Sequence, residues 1–151
     1  LLALPFPADH TDTLTLFEDP FYLATLPDSR LALNQKLKTK DLQGAEMLLL
    51  EEGHCLRDHA LEACKLRERD VTVPYQATSL TTIVQMVANG IGTTLLPKMA
   101  TDAGIADGTD LVLRPFDEPD VGRQIGLMWR KKTPRKHEFS LLGAFIQSCL
   151  N

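Results

Sequence analysis

The chain has 151 residues, 44% of them hydrophobic and 24% charged, enough for one ordinary domain or two small lobes. Sixteen Lys and Arg against twenty Asp and Glu leave a formal charge of −4, which argues against a surface whose main task is gripping a phosphate backbone. No apolar run approaches the roughly 18 residues of a membrane span, and three cysteines are too sparse for a disulfide-framed secreted domain, so a cytoplasmic protein without membrane contact is expected.

The elements alternate between strand and helix patterns, which predicts an α/β fold. Leu1–Pro5 reads as a strand already under way, with no charged leader in front of it, and predicts a segment cut from a longer chain. Residues 14–26 form a long extended stretch interrupted at Asp19-Pro20, and Pro27-Asp28-Ser29 makes a turn. The run Met47-Leu48-Leu49-Leu50 has the pattern of a strand covered on both faces. Gly53 breaks it, and a helix is expected from Leu56 to about Arg67, followed by a strand over residues 71–78.

Ser79 is placed to cap a helix over residues 80–89 with its hydroxyl, and Gly90 to terminate it. That helix start, with Thr78 beside it, also offers an anion site, a reading capping alone explains as well. Residues 93–96 read as a strand ended by Pro97, 97–103 as a short helix, and 111–115 and 124–130 as strands. After Pro134 a last helix runs to Leu150, with Leu141, Leu142, Phe145, Ile146 and Cys149 as an apolar stripe that packs Cys149 inside. The basic run Arg130-Lys131-Lys132 with Arg135-Lys136 is expected to be a solvated connection rather than a nucleic-acid surface.

Chemistry concentrates in residues 53–64, GHCLRDHALEAC. Cys55 follows a strand and a glycine turn and opens a helix, where free N–H groups and the positive dipole end favour a thiolate. His54 and Arg57 are neighbours able to add positive charge. Nine helical residues to Cys64 advance about 13–14 Å and put the two side chains on opposite faces, whereas a disulfide needs Cα atoms within about 7 Å. Leu56, Ala60, Ala63 and Cys64 share an apolar stripe, so Cys64 is expected in the core. An outer reactive thiol and a buried one that meet only on local unfolding make a two-state redox switch. Zinc binding by Cys55 and His59 at i,i+4 lacks further ligands, because Cys64 points away and no CxxC or HxxxH is present. Asp58, like Arg57, reads equally as a first-turn surface charge or as a member of the switch.

This segment resembles the redox switch of the OxyR family, the peroxide-sensing LysR-type transcriptional regulators. The likeness extends to LLALP, Asp19-Pro20-Phe21, MLLLEEGHC, QATSLTTIVQMVANGIGTTLLP and GRQIGLMWR, nearly the whole chain. It implies an α/β effector domain like type II periplasmic binding proteins. Residues 1–18 and 122–151 would be part of regulatory subdomain I, and residues 19–121 would be subdomain II. It further implies that hydrogen peroxide oxidises Cys55 to a sulfenic acid, that Cys64 resolves it as a disulfide, and that Arg123, His54 and Asp58 belong to the site. No cofactor or metal is implied.

The resemblance makes the chain a regulator rather than an enzyme, an activator of antioxidant genes reset by glutaredoxin or glutathione. It implies a homodimer or homotetramer that reaches DNA through an N-terminal winged helix-turn-helix and works with RNA polymerase. Neither that domain nor the first half of subdomain I, which supplies hydroxyl residues to the peroxide pocket, is in this sequence. Cys149 has no counterpart in the switch. Two other readings stay open: an effector domain for a small metabolite, and a thiol peroxidase.

Overall fold

The computed structural model describes residues 1–34 and 36–150, with Glu68 described for its backbone only. The chain divides into two compact units, one of Leu1–Asp19 with Arg123–Asn151 and one of Pro20–Gly122. Strands β1 (Leu2–Leu4), β2 (Thr11–Thr25), β3 (Leu49–Leu50), β4 (Gln76–Ala77), β5 (Thr94–Pro97), β6 (Val112–Pro115) and β7 (Gly122–Arg130) alternate with helices α1 (Cys55–Ala63), α2 (Leu80–Ala88), α3 (Lys98–Asp102) and α4 (Lys136–Leu150). Single 3-10 turns occupy Thr39–Leu42 and Glu68–Asp70.

In the larger unit the second half of β2 pairs antiparallel with β5 on one edge and β6 on the other. Its residues Phe21, Leu23 and Ala24 are at most 1% exposed, because the strand is covered on both faces. The parallel pair β3–β4 encloses α1 in its connection, the crossover that parallel strands require. Pro20 does not interrupt β2. The Phe21 N–H beside it donates to the Val121 carbonyl at 3.0 Å, so the ladder resumes one residue later.

The strand expected over residues 71–78 shrinks to Gln76–Ala77, with one parallel bridge from Thr72 to Glu46. Pro74 stands between them and has no N–H to give a ladder. Helix α1 starts one residue before the expected Leu56 and stops at Ala63, well short of Arg67. Cys64 caps it and Lys65 turns left-handed at φ 52°. The Lys65 N–H then donates to the Glu62 carbonyl and the Leu66 N–H to the Leu61 carbonyl, both at 2.9 Å, which together form a Schellman end. Helix α2 closes in the same way at Gly90, φ 83°, where the residue type suits the conformation. Ser79 stands at the α2 N-cap, but its side chain makes no capping bond, contrary to expectation; its backbone carbonyl accepts from the Ile83 N–H.

The smaller unit pairs β1 with β7 antiparallel, with β2 on the other side of β7. Gly126 in β7 lies so close to the Leu14 backbone carbonyl that a Cβ would sit 2.6 Å from its oxygen. Helix α4 approaches through Gly143, the buried residue of this helix, where a Cβ would collide with the Leu14 side chain. That approach turns the presumed inner stripe outward: Leu141, Leu142 and Phe145 are exposed, and so is Cys149. The expectation that Cys149 packs in a core is thereby corrected. Among the described residues no helix is long and apolar enough to cross a membrane.

Candidate functional site

Helix α1 begins at Cys55 and is capped by Cys64. Gly53, with φ 90°, lets the chain leave β3 and turn into the helix. His54 takes the N-cap position in extended conformation and accepts the Arg57 N–H through its backbone carbonyl at 2.9 Å, while its side chain makes no cap bond. Cys55 is therefore the first helical residue, and its thiol is exposed. His54 and Asp58 are exposed beside it.

Arg57 departs from the expectation that it stands as a cation near Cys55 or as a surface charge. It is 3% exposed, and its Nη1 donates to the carbonyl of Leu50 at 3.0 Å, tying the first turn of α1 to the end of β3. A hydrogen bond from a charged donor to a buried carbonyl contributes about 1.5–3 kcal/mol. Its place in the sequence gave no sign of this, because the four-residue gap to the strand closes only through the glycine turn. His59 is also buried. No group of three His, Cys, Asp or Glu placed to hold a metal exists among the described residues.

Cys64 sits at the opposite end of the unbroken helix, 2% exposed, in a cluster with Phe21, Leu37, Leu42, Met47, Ala60 and Val121. Both cysteines are free thiols, and a helix of this length separates their backbones by about 13–14 Å. Burial first, and then the negative charge of Glu118, push the Cys64 thiol from 9.0 up to about 12. In this conformation Cys64 is inert and Cys55 is accessible.

Glu118 is a residue that sequence reasoning passed over. Its carboxylate accepts the Thr39 backbone N–H at 2.7 Å and the Thr39 hydroxyl at 3.0 Å. Nothing in the local run FDEPD marks that role, since the partner lies 79 positions away.

Arg123 lies in the smaller unit, at the start of β7, and Cys55 in the larger. The Arg123 Nε donates to Asp19 Oδ2 at 3.0 Å, with the Asp19 side chain fully buried. The basic connection after β7 is solvated as expected: Arg130, Lys131 and Lys132 are exposed, Arg135 pairs with Glu138, and Lys136 reaches Asp12 at 2.8 Å.

The sequence profile described as LysR substrate binding domain matches residues 1–150. The chain belongs to the LysR substrate-binding domain family, and its relatives place it among the OxyR regulatory domains. The reduced form of the OxyR2 regulatory domain from Vibrio vulnificus is 38% identical, with a TM-score of 0.83 over 97% of this chain and 68% of that one. The DNA-binding transcriptional dual regulator OxyR of Escherichia coli K12 is 36% identical over 149 residues, 98% of this chain and 48% of that protein. The HTH-type transcriptional regulator EstR of Acinetobacter baylyi is 36% identical over 142 residues, 94% of this chain and 47% of that protein. The chain thus spans about half the length of these two regulators.

Proposed function

We propose that this chain is the peroxide-sensing part of a cytoplasmic OxyR-type transcriptional activator, with Pro20–Gly122 as its redox-active subdomain and the other unit as part of regulatory subdomain I. The observation that carries the reading is one helix with an exposed thiol at its N-terminus and a buried thiol at its other end. The positive end of α1 favours a thiolate at Cys55. That thiolate attacks one oxygen of hydrogen peroxide, the O–O bond breaks, and hydroxide leaves with the Cys55 sulfenic acid behind. His54 and Asp58, exposed on either side of Cys55 in the sequence, are its neighbours in the switch. Cys64 then attacks the sulfenic sulfur, forms the disulfide, and its proton leaves with the hydroxyl as water. One peroxide becomes two waters for two thiols oxidised.

Because the thiols start on opposite ends of a helix, the disulfide requires that α1 unwind. That rearrangement is the signal, passed to subunits that assemble as a homodimer or homotetramer and contact DNA and RNA polymerase outside this segment. Glutaredoxin or glutathione reverses it.

One equivalent of hydrogen peroxide followed by peptide mass spectrometry tests the reading. A Cys55–Cys64 linked pair is expected, absent from Cys55→Ser. If excess peroxide leaves both thiols unlinked in the folded chain, the switch is wrong. A small-metabolite effector domain is the second reading, favoured by the equal identity to EstR, and it predicts that outcome. Rapid multiple turnover of peroxide with a reductant would instead mark a thiol peroxidase.

A further inference from the structure

Cys64 does not leave its core alone. The 3-10 turn Thr39–Leu42 ends on Leu42, fully buried in the same cluster as Cys64. Leu37, two residues before Thr39, is 1% exposed in that cluster and forms a parallel bridge to Phe116. Phe116 packs against the cluster too, and the Asp117 N–H donates to the Leu37 carbonyl at 2.8 Å. Two short segments, 37–42 and 116–118, therefore contribute Leu37, Leu42 and Phe116 to the cluster that holds the thiol. They are also joined by the Glu118 carboxylate, which accepts the Thr39 backbone N–H and hydroxyl.

We propose that the Thr39–Glu118 pair is the latch that keeps Cys64 in its core, which makes Glu118 a positioning residue for the disulfide step. The idea rests on the reading of Cys64 as the resolving thiol, but the latch itself is independent of peroxide. Two features single out this pair. Its acceptor is a carboxylate receiving a backbone N–H and a hydroxyl from one residue, a stronger grip than a neutral contact. Its charge also lies close enough to act on the thiol, adding to burial in holding the proton on sulfur. While the latch is closed, the thiol stays protonated and inaccessible. Opening it leaves the two segments joined through Leu37, at the Phe116 bridge and the Asp117 N–H bond, and moves the negative charge away, so access and reactivity rise together.

The test uses the full chain carrying Cys55→Ser and Cys149→Ser, leaving Cys64 as the single thiol, and measures its alkylation by iodoacetamide without peroxide. Thr39→Val removes the hydroxyl bond, and Glu118→Gln removes the charge. Each is expected to speed alkylation by at least about tenfold, the lower end of what one hydrogen bond to a charged group contributes. Thr39→Ser keeps both bonds and restores the slow rate. The double variant gains little over the stronger single one, because the two residues form one unit. The rates stay flat in urea below the unfolding transition, which marks local opening rather than loss of the fold.

Unchanged rates in both single variants, or acceleration that only tracks global unfolding, overturn the latch. In a parallel arm with Cys55 present, peroxide-driven disulfide formation quickens when the latch is cut. Faster alkylation with no disulfide in any variant keeps the latch and refutes the switch, so the two failures are told apart.

Discussion

Raising the pH should loosen the fold through Cys64, and the magnitude follows from its burial. The thiol holds its proton up to about 12 in the folded chain but loses it near 9.0 once released to water. Below about pH 9 both states carry the proton and the full stability is present. Between 9 and 12 only the released state has lost it, so each unit of pH costs the folded state about 1.4 kcal/mol, roughly 4 kcal/mol across the window. At pH 10.5 the loss is about 2 kcal/mol, with no discount for screening because the side chain is enclosed. Urea unfolding of the reduced chain at pH 8 and pH 10.5, compared with Cys64→Ala, isolates this contribution from lysine and tyrosine titration. The native chain should lose about 2 kcal/mol more than the variant between the two pH values. If the two chains lose stability in parallel, the thiol is not shielded as argued, and the inertness assigned to it fails with it.

Two further substitutions probe the end of α1 and, separately, the smaller unit. Lys65 holds a left-handed backbone, φ 52°, directly after Cys64, so Lys65→Gly should relieve about 1 kcal/mol of strain and raise the urea midpoint of the reduced chain; an unchanged or lowered midpoint would mean that the left-handed lysine stores no strain at the helix end. Arg123→Met leaves the fully buried Asp19 carboxylate without the Nε bond at 3.0 Å, and should destabilise the chain by about 3 kcal/mol in thermal or urea unfolding. Asp19→Asn with Arg123→Met together should recover part of that loss, and no recovery would mean that the pair is not what holds the two chain segments of the smaller unit.

The separation of the cysteines was legible because helical rise and periodicity are local rules. Cys55 at a helix start and Cys64 on an apolar stripe needed nothing beyond the twelve residues that hold them. Tertiary partners were not legible. Arg57 looked like a free cation, yet its head reaches the Leu50 carbonyl and lies buried; no rule of spacing separates a solvated arginine from one that reaches back across a glycine turn. Cys149 failed differently. Its stripe is genuine, but Gly143 decides which face of α4 meets the sheet, and a glycine adds nothing to an apolar pattern. The early end of α1 was hidden for the same reason: a lysine in place of the customary glycine at the Schellman position carries no stop signal.

These details bear on how the switch would move. Helix α1 is held at its start by Arg57 on β3 and at its end by a buried thiol that a strained lysine follows. The two ends are unequal. A charged hydrogen bond to a buried carbonyl resists opening at the N-terminus by about 1.5–3 kcal/mol, while at the C-terminus about 1 kcal/mol of backbone strain offsets part of what the burial of Cys64 and the Thr39–Glu118 latch contribute. Once the latch opens, unwinding is therefore expected to begin at Cys64 and proceed toward Cys55, with the first turn kept on β3 by Arg57. In that order Cys55 stays at a helix start, where its thiolate is favoured, until the resolving thiol arrives. A start at the other end would dismantle that environment first. In the proposed switch, that asymmetry would let one nine-residue helix serve both as the support of the reactive thiol and as the part that gives way.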